Sequence, residues 1–133
     1  MKNIVEYTSL IKELIQSESE YLNISDVDSY TNKIINNADF AIDNDKGFIA
    51  YYANDFTSKK AYITMVIIDK KYRGKQIGKK LLNKVLEDLR NRGFLSCQLE
   101  VDKYNYVASN MYSSFGFFKV GEDEEKEKME AIL

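Results

Sequence analysis

The sequence predicts an α/β (α+β) fold in which one mixed sheet carries helices on its faces. A buried strand, a glycine-containing loop and an amphipathic helix follow one another in residues 61–92. Two short strand patterns precede this stretch, and strand and helix patterns alternate after it, as expected for β-α-β units. The chain has 133 residues, which suits one hydrophobic core, so we expect a single domain over residues 1–133.

Two helices are predicted before the first strand. Apolar residues recur at helical spacing between Ile4 and Glu20, and Asn3 with Glu6 resembles a capping pair. A second capping box, residues 25–28, begins a helix that ends near Asn37. Both helices have one apolar face, so both are expected to cover the sheet.

Three strands are predicted next. Residues 39–42 and 47–53 are short apolar runs separated by the turn sequence D-N-D-K-G. Residues 61–69 form a β-branched apolar run that is too short for a helix, which indicates a buried strand.

A helix is predicted from the end of the following loop to Arg92. Gly93 is typical of the residue that follows a helix C-terminus. Lysines and acidic residues occupy the opposite face from the apolar stripe, which consists of Gly78, Leu81, Leu82, Val85 and Leu89.

The C-terminal part alternates between strands and one helix. Strands are predicted at 94–101, 117–120 and 129–133, a helix at 105–115, and a hairpin tip in the acidic tract 122–128. The first of these strands should place Leu95, Cys97, Leu99 and Val101 on one face and Ser96, Gln98 and Glu100 on the other.

Composition excludes several classes of protein. No apolar run approaches 18 residues and no signal peptide is visible, so a cytoplasmic protein without a membrane span is expected. The single Cys97 excludes an internal disulfide and is expected to be a packing residue. Without histidine, a His/Cys metal site cannot be built, and no metal is expected. The net charge of −2 argues against general nucleic-acid affinity.

The loop between the third strand and its helix has the features of an anion site. Gly74 and Gly78 allow close backbone approach, and helix N-termini carry free N–H groups and positive partial charge. The P-loop pattern fails at Lys80, and the dinucleotide pattern G-x-G-x-x-G is absent. A pyrophosphate loop for an acyl-CoA and a solvated basic turn remain open. The surrounding cations are Lys70, Lys71, Arg73, Lys75, Lys79 and Lys80.

Two motifs resemble the GNAT N-acetyltransferase superfamily. R-G-K-Q-I-G, residues 73–78, is similar to the Q/R-x-x-G-x-G/A signature, and V-I-I-D-K-K-Y before it resembles the family's fourth strand. Gln76 departs from the pattern, where glycine is usual. The second motif follows L-E-V and resembles the family's tail segment, with Asn105, Ala108, Tyr112, Gly116 and Phe117. The resemblance runs from about Phe40 to the C-terminus and implies a mixed, mostly antiparallel central sheet with helices on both faces.

The resemblance implies a set of site residues. Tyr112 would be the general acid and Glu100 the general base, directly or through a water. Each also has an ordinary structural explanation: Tyr112 could be a plain helix residue beside the more clearly core-forming Met111 and Phe115, and Glu100 a solvent-facing strand residue. Asn105, which the resemblance implies to contact the cofactor, is a preferred N-cap. The residues implied to bind acetyl-CoA are Val66, Ile67, Ile68, Arg73, Gly74, Lys75, Gln76, Ile77, Gly78, Lys79 and Asn105.

The implied function is transfer of an acetyl group from acetyl-CoA to a primary amine, by direct attack in a ternary complex. The acceptor stays open between a small amine, an amino sugar, an antibiotic and a peptide N-terminus. A non-catalytic acyl-CoA-binding module is the alternative, and a nucleic-acid-binding domain is a weaker one. We expect no nucleic-acid or membrane partner, and the resemblance allows a homodimer. Tyr51, Tyr52 and Tyr104 could line an acceptor pocket or serve packing alone.

Overall fold

The computed structural model describes residues 7–20 and 22–133, which form four α-helices and a six-stranded sheet. The helices are α1 (Thr8–Ser17), α2 (Val27–Asn37), α3 (Ile77–Asn91) and α4 (Tyr106–Ser114). The strands are β1 (Asp39–Asp43), β2 (Gly47–Asp55), β3 (Lys60–Ile68), β4 (Ser96–Asp102), β5 (Phe118–Glu122) and β6 (Lys126–Ile132).

The sheet is mixed and mostly antiparallel, as predicted. Its strand order is β1-β2-β3-β4-β6-β5. Only β3 and β4 pair in parallel, and α3 provides the crossover between them. All other neighbouring strands pair antiparallel.

Helices cover both faces of this sheet, which also agrees with the prediction. The helices α1 and α2 pack on one face, where Ile11, Ile34 and Phe48 belong to one buried cluster. On the other face, α3 and α4 pack over a second cluster that includes Leu82 and Tyr112. Burial of these two apolar layers is the main stabilising contribution to the fold.

Strand β3 contains a β-bulge at Thr64. Ala50 of β2 pairs with Met65 and Tyr51 pairs with Ile63, so Thr64 has no partner on β2. The extra residue reverses the alternation of side chains along β3. Ile63 belongs to the cluster under α3, but Met65 belongs to the cluster under α1 and α2. The bulge therefore brings Val66 and Ile68 to the face of α3.

The N-terminal helices agree with the sequence in kind and differ at their ends. The predicted start at Ile4 and the Asn3–Glu6 capping pair lie outside the described residues. For α2, the N-cap is Asp26, whose carboxylate accepts a hydrogen bond from the Ser29 N–H at 3.0 Å. The prediction that the capping box begins one residue earlier was wrong in register.

The C-terminal hairpin is longer than predicted. Strand β6 begins at Lys126, so only residues 123–125 lie between β5 and β6. The predicted face of β4 was right for its three apolar residues within the strand, but Leu95 precedes the strand and is exposed. Ser96 is buried. Alternation along a strand does not extend to the residue before it, which explains the error.

The helices in the described part of the chain are all too short or too polar to cross a membrane.

Candidate functional site

Strands β3 and β4 separate soon after they pair, and the gap between them opens the candidate site. Their parallel pairing covers only Lys60–Tyr62 of β3 and Ser96–Gln98 of β4. Beyond this point β4 pairs with β6 alone, while β3 continues to Ile68 with β2 on its other side. In the described part of the chain, the edge of β3 from Ile63 to Ile68 therefore has no strand beside it.

A cavity of about 890 Å³ lies along this free edge, between the N-terminus of α3 and helix α4. Of the predicted site residues, it is lined by Val66, Ile67, Ile68, Arg73, Gly74, Gln76, Ile77, Gly78, Lys79, Asn105 and Tyr112. The fold thus brings together two motifs that are more than 25 residues apart. Lys75 and Glu100 lie outside this cavity.

The loop at one end of the cavity presents backbone N–H groups without acceptors. Helix α3 begins at Ile77 with no side-chain cap. Within the described ranges, no hydrogen bond is donated by the backbone N–H groups of residues 74–79, whereas the N–H of Arg73 reaches the Lys70 carbonyl at 3.4 Å and that of Lys80 the Gln76 carbonyl at 3.1 Å. Free N–H groups and the positive end of a 15-residue helix together attract an anion.

The loop requires left-handed backbone at two positions. Gly74 has φ of 79° and Gln76, the N-cap of α3, has φ of 67° and ψ of 13°. Glycine adopts this conformation readily, but a residue with a β-carbon is destabilised there by about 1–2 kcal/mol. Gln76 is therefore a strained position that the loop tolerates, as the departure from the motif led us to expect.

The side chains of Arg73 and Lys75, two cations of the loop, have partners within the protein. The Arg73 Nε donates to the Ile68 carbonyl at 3.1 Å, and its Nη2 contacts Glu18 Oε1 at 2.6 Å. Lys75 places its Nζ 5.8 Å from the centre of the Tyr72 ring. These contacts engage part of each side chain, so the unbonded backbone N–H groups of the loop are the better-placed hydrogen-bond donors for an anion.

Gly78 lies where α3 approaches α4. A β-carbon built on Gly78 would lie 3.3 Å from the Met111 sulfur, within the range where the neighbour must give way. Gly78 and Met111 both line the cavity. A small residue at position 78 therefore keeps the loop end of the cavity open.

Tyr112 is the most buried residue of α4. It is 6% exposed and packs edge-on against Phe117, with ring centroids 5.8 Å apart. Burial raises the pKa of the Tyr112 hydroxyl to about 12. The expectation that Met111 and Phe115 would be the core residues of α4 was wrong, since both are only half-buried. The helix turns Tyr112 towards the sheet instead.

Asn105 caps α4, as its structural explanation predicts. Its Oδ1 accepts a hydrogen bond from the Ala108 N–H at 3.2 Å. This contact uses only the carbonyl oxygen of the side chain. The amide nitrogen of Asn105 can still donate to a ligand in the cavity that Asn105 lines.

Glu100 lies on β4 beyond the last parallel pair, Tyr62 and Gln98. It is exposed, and alternation places it on the opposite face of β4 from Leu99 and Val101. Its neighbour across the strands is Lys128. No hydrogen bond or ion pair of its carboxylate occurs within the described residues. Glu100 therefore lies on the face of the sheet that carries α1 and α2.

Other residues singled out in the sequence have structural roles. Tyr51 is buried and donates a hydrogen bond to Asp88 at 2.7 Å, and burial followed by this contact raises its pKa. Cys97 is fully buried, which raises the pKa of its thiol to about 12 and leaves it unreactive. Tyr52 is half-buried and Tyr104 is 79% exposed; neither lines the cavity.

Two carboxylates of the acidic tract, those of Glu122 and Glu127, have lysine partners. Lys103 contacts Glu122 at 2.5 Å, and Lys119 contacts the same carboxylate. These partners, Lys103 first, lower the pKa of Glu122 to about 2. The tract thus forms a solvated hairpin end whose first carboxylate is held by two lysines.

Sequence reasoning missed several residues that line the cavity. Glu18 and Leu22 come from the end of α1 and the segment that follows it, Tyr72 precedes the first motif, and Asn110 lies between the named residues of the second. Neither Glu18 nor Leu22 belongs to a motif, and 55 residues separate Glu18 from its partner Arg73. Only the folded arrangement of the helices reveals them.

Comparison with known proteins gives a family match over most of the chain. The model of the acetyltransferase (GNAT) family matches residues 9–117. N-alpha-acetyltransferase 30 of Schizosaccharomyces pombe is 38% identical over 61 residues, which are 46% of this chain and 41% of that protein. The match thus spans about two fifths of the length of that relative.

Solved structures share the fold over nearly the whole chain. The paiA N-acetyltransferase from Thermoplasma acidophilum, in complex with coenzyme A, is 22% identical with a TM-score of 0.78, covering 100% of this chain and 97% of that one. Aminoglycoside 6′-acetyltransferase type Ii is 18% identical with a TM-score of 0.79, covering 98% and 92%. At these identities the likeness establishes the fold.

Proposed function

This chain belongs to the GNAT family of acetyltransferases, and we propose that it is a single-domain enzyme that transfers an acetyl group from acetyl-CoA to a primary amine. The observation that carries the proposal is the row of unbonded N–H groups in residues 74–79 at the end of a cavity that also contains Tyr112. An acyl donor with a diphosphate and a peptide-like arm matches both ends of this cavity.

The donor binds through the backbone. Its diphosphate accepts hydrogen bonds from the free N–H groups of residues 74–79 at the N-terminus of α3. Its pantetheine arm lies beside the free edge of β3 at Val66, Ile67 and Ile68 and pairs with it as an added strand would. The amide nitrogen of Asn105 donates to the arm from the opposite wall.

The amine attacks the thioester directly. It enters from the other face of the sheet, through the gap that begins after Tyr62 and Gln98. Glu100, or a water that it holds, takes the proton from the incoming ammonium. The N–H of Ile68 stabilises the oxyanion of the tetrahedral intermediate. No covalent acyl-enzyme is formed, which agrees with the buried, unreactive state of Cys97.

Collapse of the intermediate releases CoA. The carbon–sulfur bond breaks, and the sulfur takes its electron pair and a proton from the Tyr112 hydroxyl. The Tyr112 phenolate takes the remaining proton from the nitrogen that attacked, through water, and Glu100 releases its proton to bulk water. The products are the acetylated amine and free CoA, and the enzyme regains its starting protonation state.

Calorimetric titration with CoA, followed by a thiol-release assay with acetyl-CoA and pooled amines, tests this function. We expect saturable 1:1 binding of CoA and release of thiol that depends on at least one amine. Binding without thiol release for any small amine, amino sugar or peptide would support the non-catalytic acyl-CoA module instead. Absence of CoA binding would refute the proposal.

A further inference from the structure

The guanidinium of Arg73, the first residue of the anion-binding loop, joins three elements of the fold. Its Nε donates to the carbonyl of Ile68, the last residue of β3, at 3.1 Å. Its Nη2 contacts Glu18 Oε1, at the end of α1, at 2.6 Å. Arg73 itself follows the short 3-10 turn Lys70–Tyr72. The rigid fork of arginine suits such a bridge, because its donors leave in fixed directions.

The position of Glu18 is electrostatically unfavourable without Arg73. Glu18 is the C-cap of α1, where the helix carries partial negative charge, and the last turn of α1 has no basic residue. The Glu18 side chain is only 18% exposed, and it lines the same cavity as the loop. A lone carboxylate in this place would repel the diphosphate that the loop is proposed to hold.

We propose that Glu18 is a positioning residue of the acetyl-CoA site: it anchors the loop to α1 through Arg73, and Arg73 in turn neutralises it. The inference rests on the proposed function, because it assumes that the cavity binds the diphosphate of CoA. Arg73 then contributes to affinity mainly by holding the loop and cancelling a negative charge, and only secondarily by direct contact with phosphate.

This arrangement predicts an unusual pattern among variants. Removal of Arg73 alone leaves Glu18 uncompensated beside the diphosphate, so it should weaken binding strongly. Removal of both charges takes the repulsion away and should restore part of the affinity. If the Glu18 carboxylate does not repel the diphosphate, the second substitution restores nothing.

The experiment is a double-mutant cycle on CoA affinity with Glu18→Gln, Arg73→Gln and the double variant. We expect Arg73→Gln to raise Kd about tenfold or more and the double variant to bind more tightly than Arg73→Gln. Glu18→Gln should change Kd less than about threefold, because it removes the anchor of the loop and a negative charge near the diphosphate together, and these two effects oppose each other. The loss in Arg73→Gln should shrink between about 20 mM and 300 mM salt, since screening weakens charge repulsion.

Two further variants separate charge from geometry. Arg73→Lys keeps the positive charge without the fork, so we expect its loss of affinity to be smaller than that of Arg73→Gln and independent of salt. Lys12→Gln is the matched control, because Lys12 belongs to an exposed ion pair with Asp28 and does not line the cavity. It removes one positive charge from α1 and should leave Kd unchanged.

The outcomes distinguish this inference from the function on which it rests. If wild type binds CoA but the double variant binds as weakly as Arg73→Gln, the role of Glu18 is wrong and the proposed function stands. If wild type does not bind CoA, both are overturned. In Arg73→Gln, a raised KM for acetyl-CoA with little change in kcat would support positioning of the cosubstrate. A fall in kcat as large as the rise in KM would contradict it.

Discussion

The Tyr112 hydroxyl lies in an apolar environment on α4, and burial raises its pKa to about 12. A free phenol has a pKa near 10 and a thiol one near 8.5, so at these ordinary pKa values proton transfer from Tyr112 to the leaving sulfur would be nearly balanced. With the raised pKa, Tyr112 is a weaker acid than that comparison assumed. The CoA thiol in the same cavity is also desolvated, which raises its pKa as well. The difference between the pKa values of Tyr112 and the thiol therefore becomes smaller again.

The first prediction concerns this hydroxyl. Tyr112→Phe keeps the ring contact with Phe117 but removes the proton donor, so we expect turnover to fall tenfold or more with CoA affinity nearly unchanged. Steady-state kinetics with a responsive amine and calorimetry with CoA provide the two readouts. Turnover equal to that of wild type would exclude the proton-donor role.

The second prediction concerns the strained loop residue. Gln76→Gly should raise the free energy of unfolding by about 0.5–1 kcal/mol, because glycine adopts the left-handed conformation of position 76 without steric strain. The gain is smaller than the strain itself, because glycine also has more conformational freedom in the unfolded chain. Gly74→Ala is the matched opposite case. Nothing lies within 4 Å of a β-carbon at Gly74, so its destabilisation would report the backbone alone. Urea unfolding of both variants checks the pair, and no gain for Gln76→Gly would argue against strain.

At the scale of elements, the N-terminus of α3 decides whether an anion can approach. Gly78→Glu should abolish CoA binding, because a bulky carboxylate would enter the cavity where the diphosphate is proposed to lie. Gly78→Ala is the control. Its β-carbon meets only the flexible end of Met111, and alanine favours a helix, so affinity should stay within a few fold. Normal calorimetric affinity in Gly78→Glu would remove the phosphate-loop interpretation.

The elements with strong patterns were predictable from the sequence. The stripe of α3, the β-branched run of β3 and the glycine after Arg92 each have a local cause, and each was found within a few residues. The bulge at Thr64 was not predictable, because apolar residues flank it on both sides and alternation gives no sign of an extra residue. The burial of Tyr112 was likewise not predicted, because a helix as short as α4 can be placed on the sheet with more than one of its faces buried.

The family resemblance implied most of the residues along the cavity, because the loop and the start of α4 are each continuous in sequence. The partners of those residues were not predictable in the same way. Contacts such as that between Glu18 and Arg73 join distant segments, and no local pattern marks them. The sequence thus indicates which residues serve the cavity, while the tertiary structure indicates what holds them.

At the scale of the whole molecule, buried acidic groups make stability sensitive to alkaline pH. The pKa of Cys97 is raised from 9.0 to about 12 and that of Tyr112 from 10.0 to about 12, both by burial. Above pH 9 the unfolded chain releases these protons while the folded protein keeps them. The stabilising contribution is therefore fully present below about pH 9 and is lost as pH rises towards 12.

The prediction is that the free energy of unfolding falls between pH 9 and pH 10, and that Cys97→Ala reduces this fall by about 1 kcal/mol. The variant is expected to be less stable at every pH because of the cavity that it leaves, so the slope and not the absolute value is the readout. Denaturant unfolding at closely spaced pH values measures it. An unchanged slope in Cys97→Ala would show that the thiol titrates normally in the folded protein.

The open edge of β3 also affects the tendency of the protein to aggregate when no CoA is bound. Over residues 63–68, β3 pairs with β2 on one side only, and its side chains are mostly aliphatic. Such edges readily recruit strands from other molecules and so promote aggregation. We therefore expect purified apoprotein to form oligomeric precipitates on storage, and saturating CoA to slow the rise in light scattering by occupying that edge. Bound CoA would then also limit self-association of the protein.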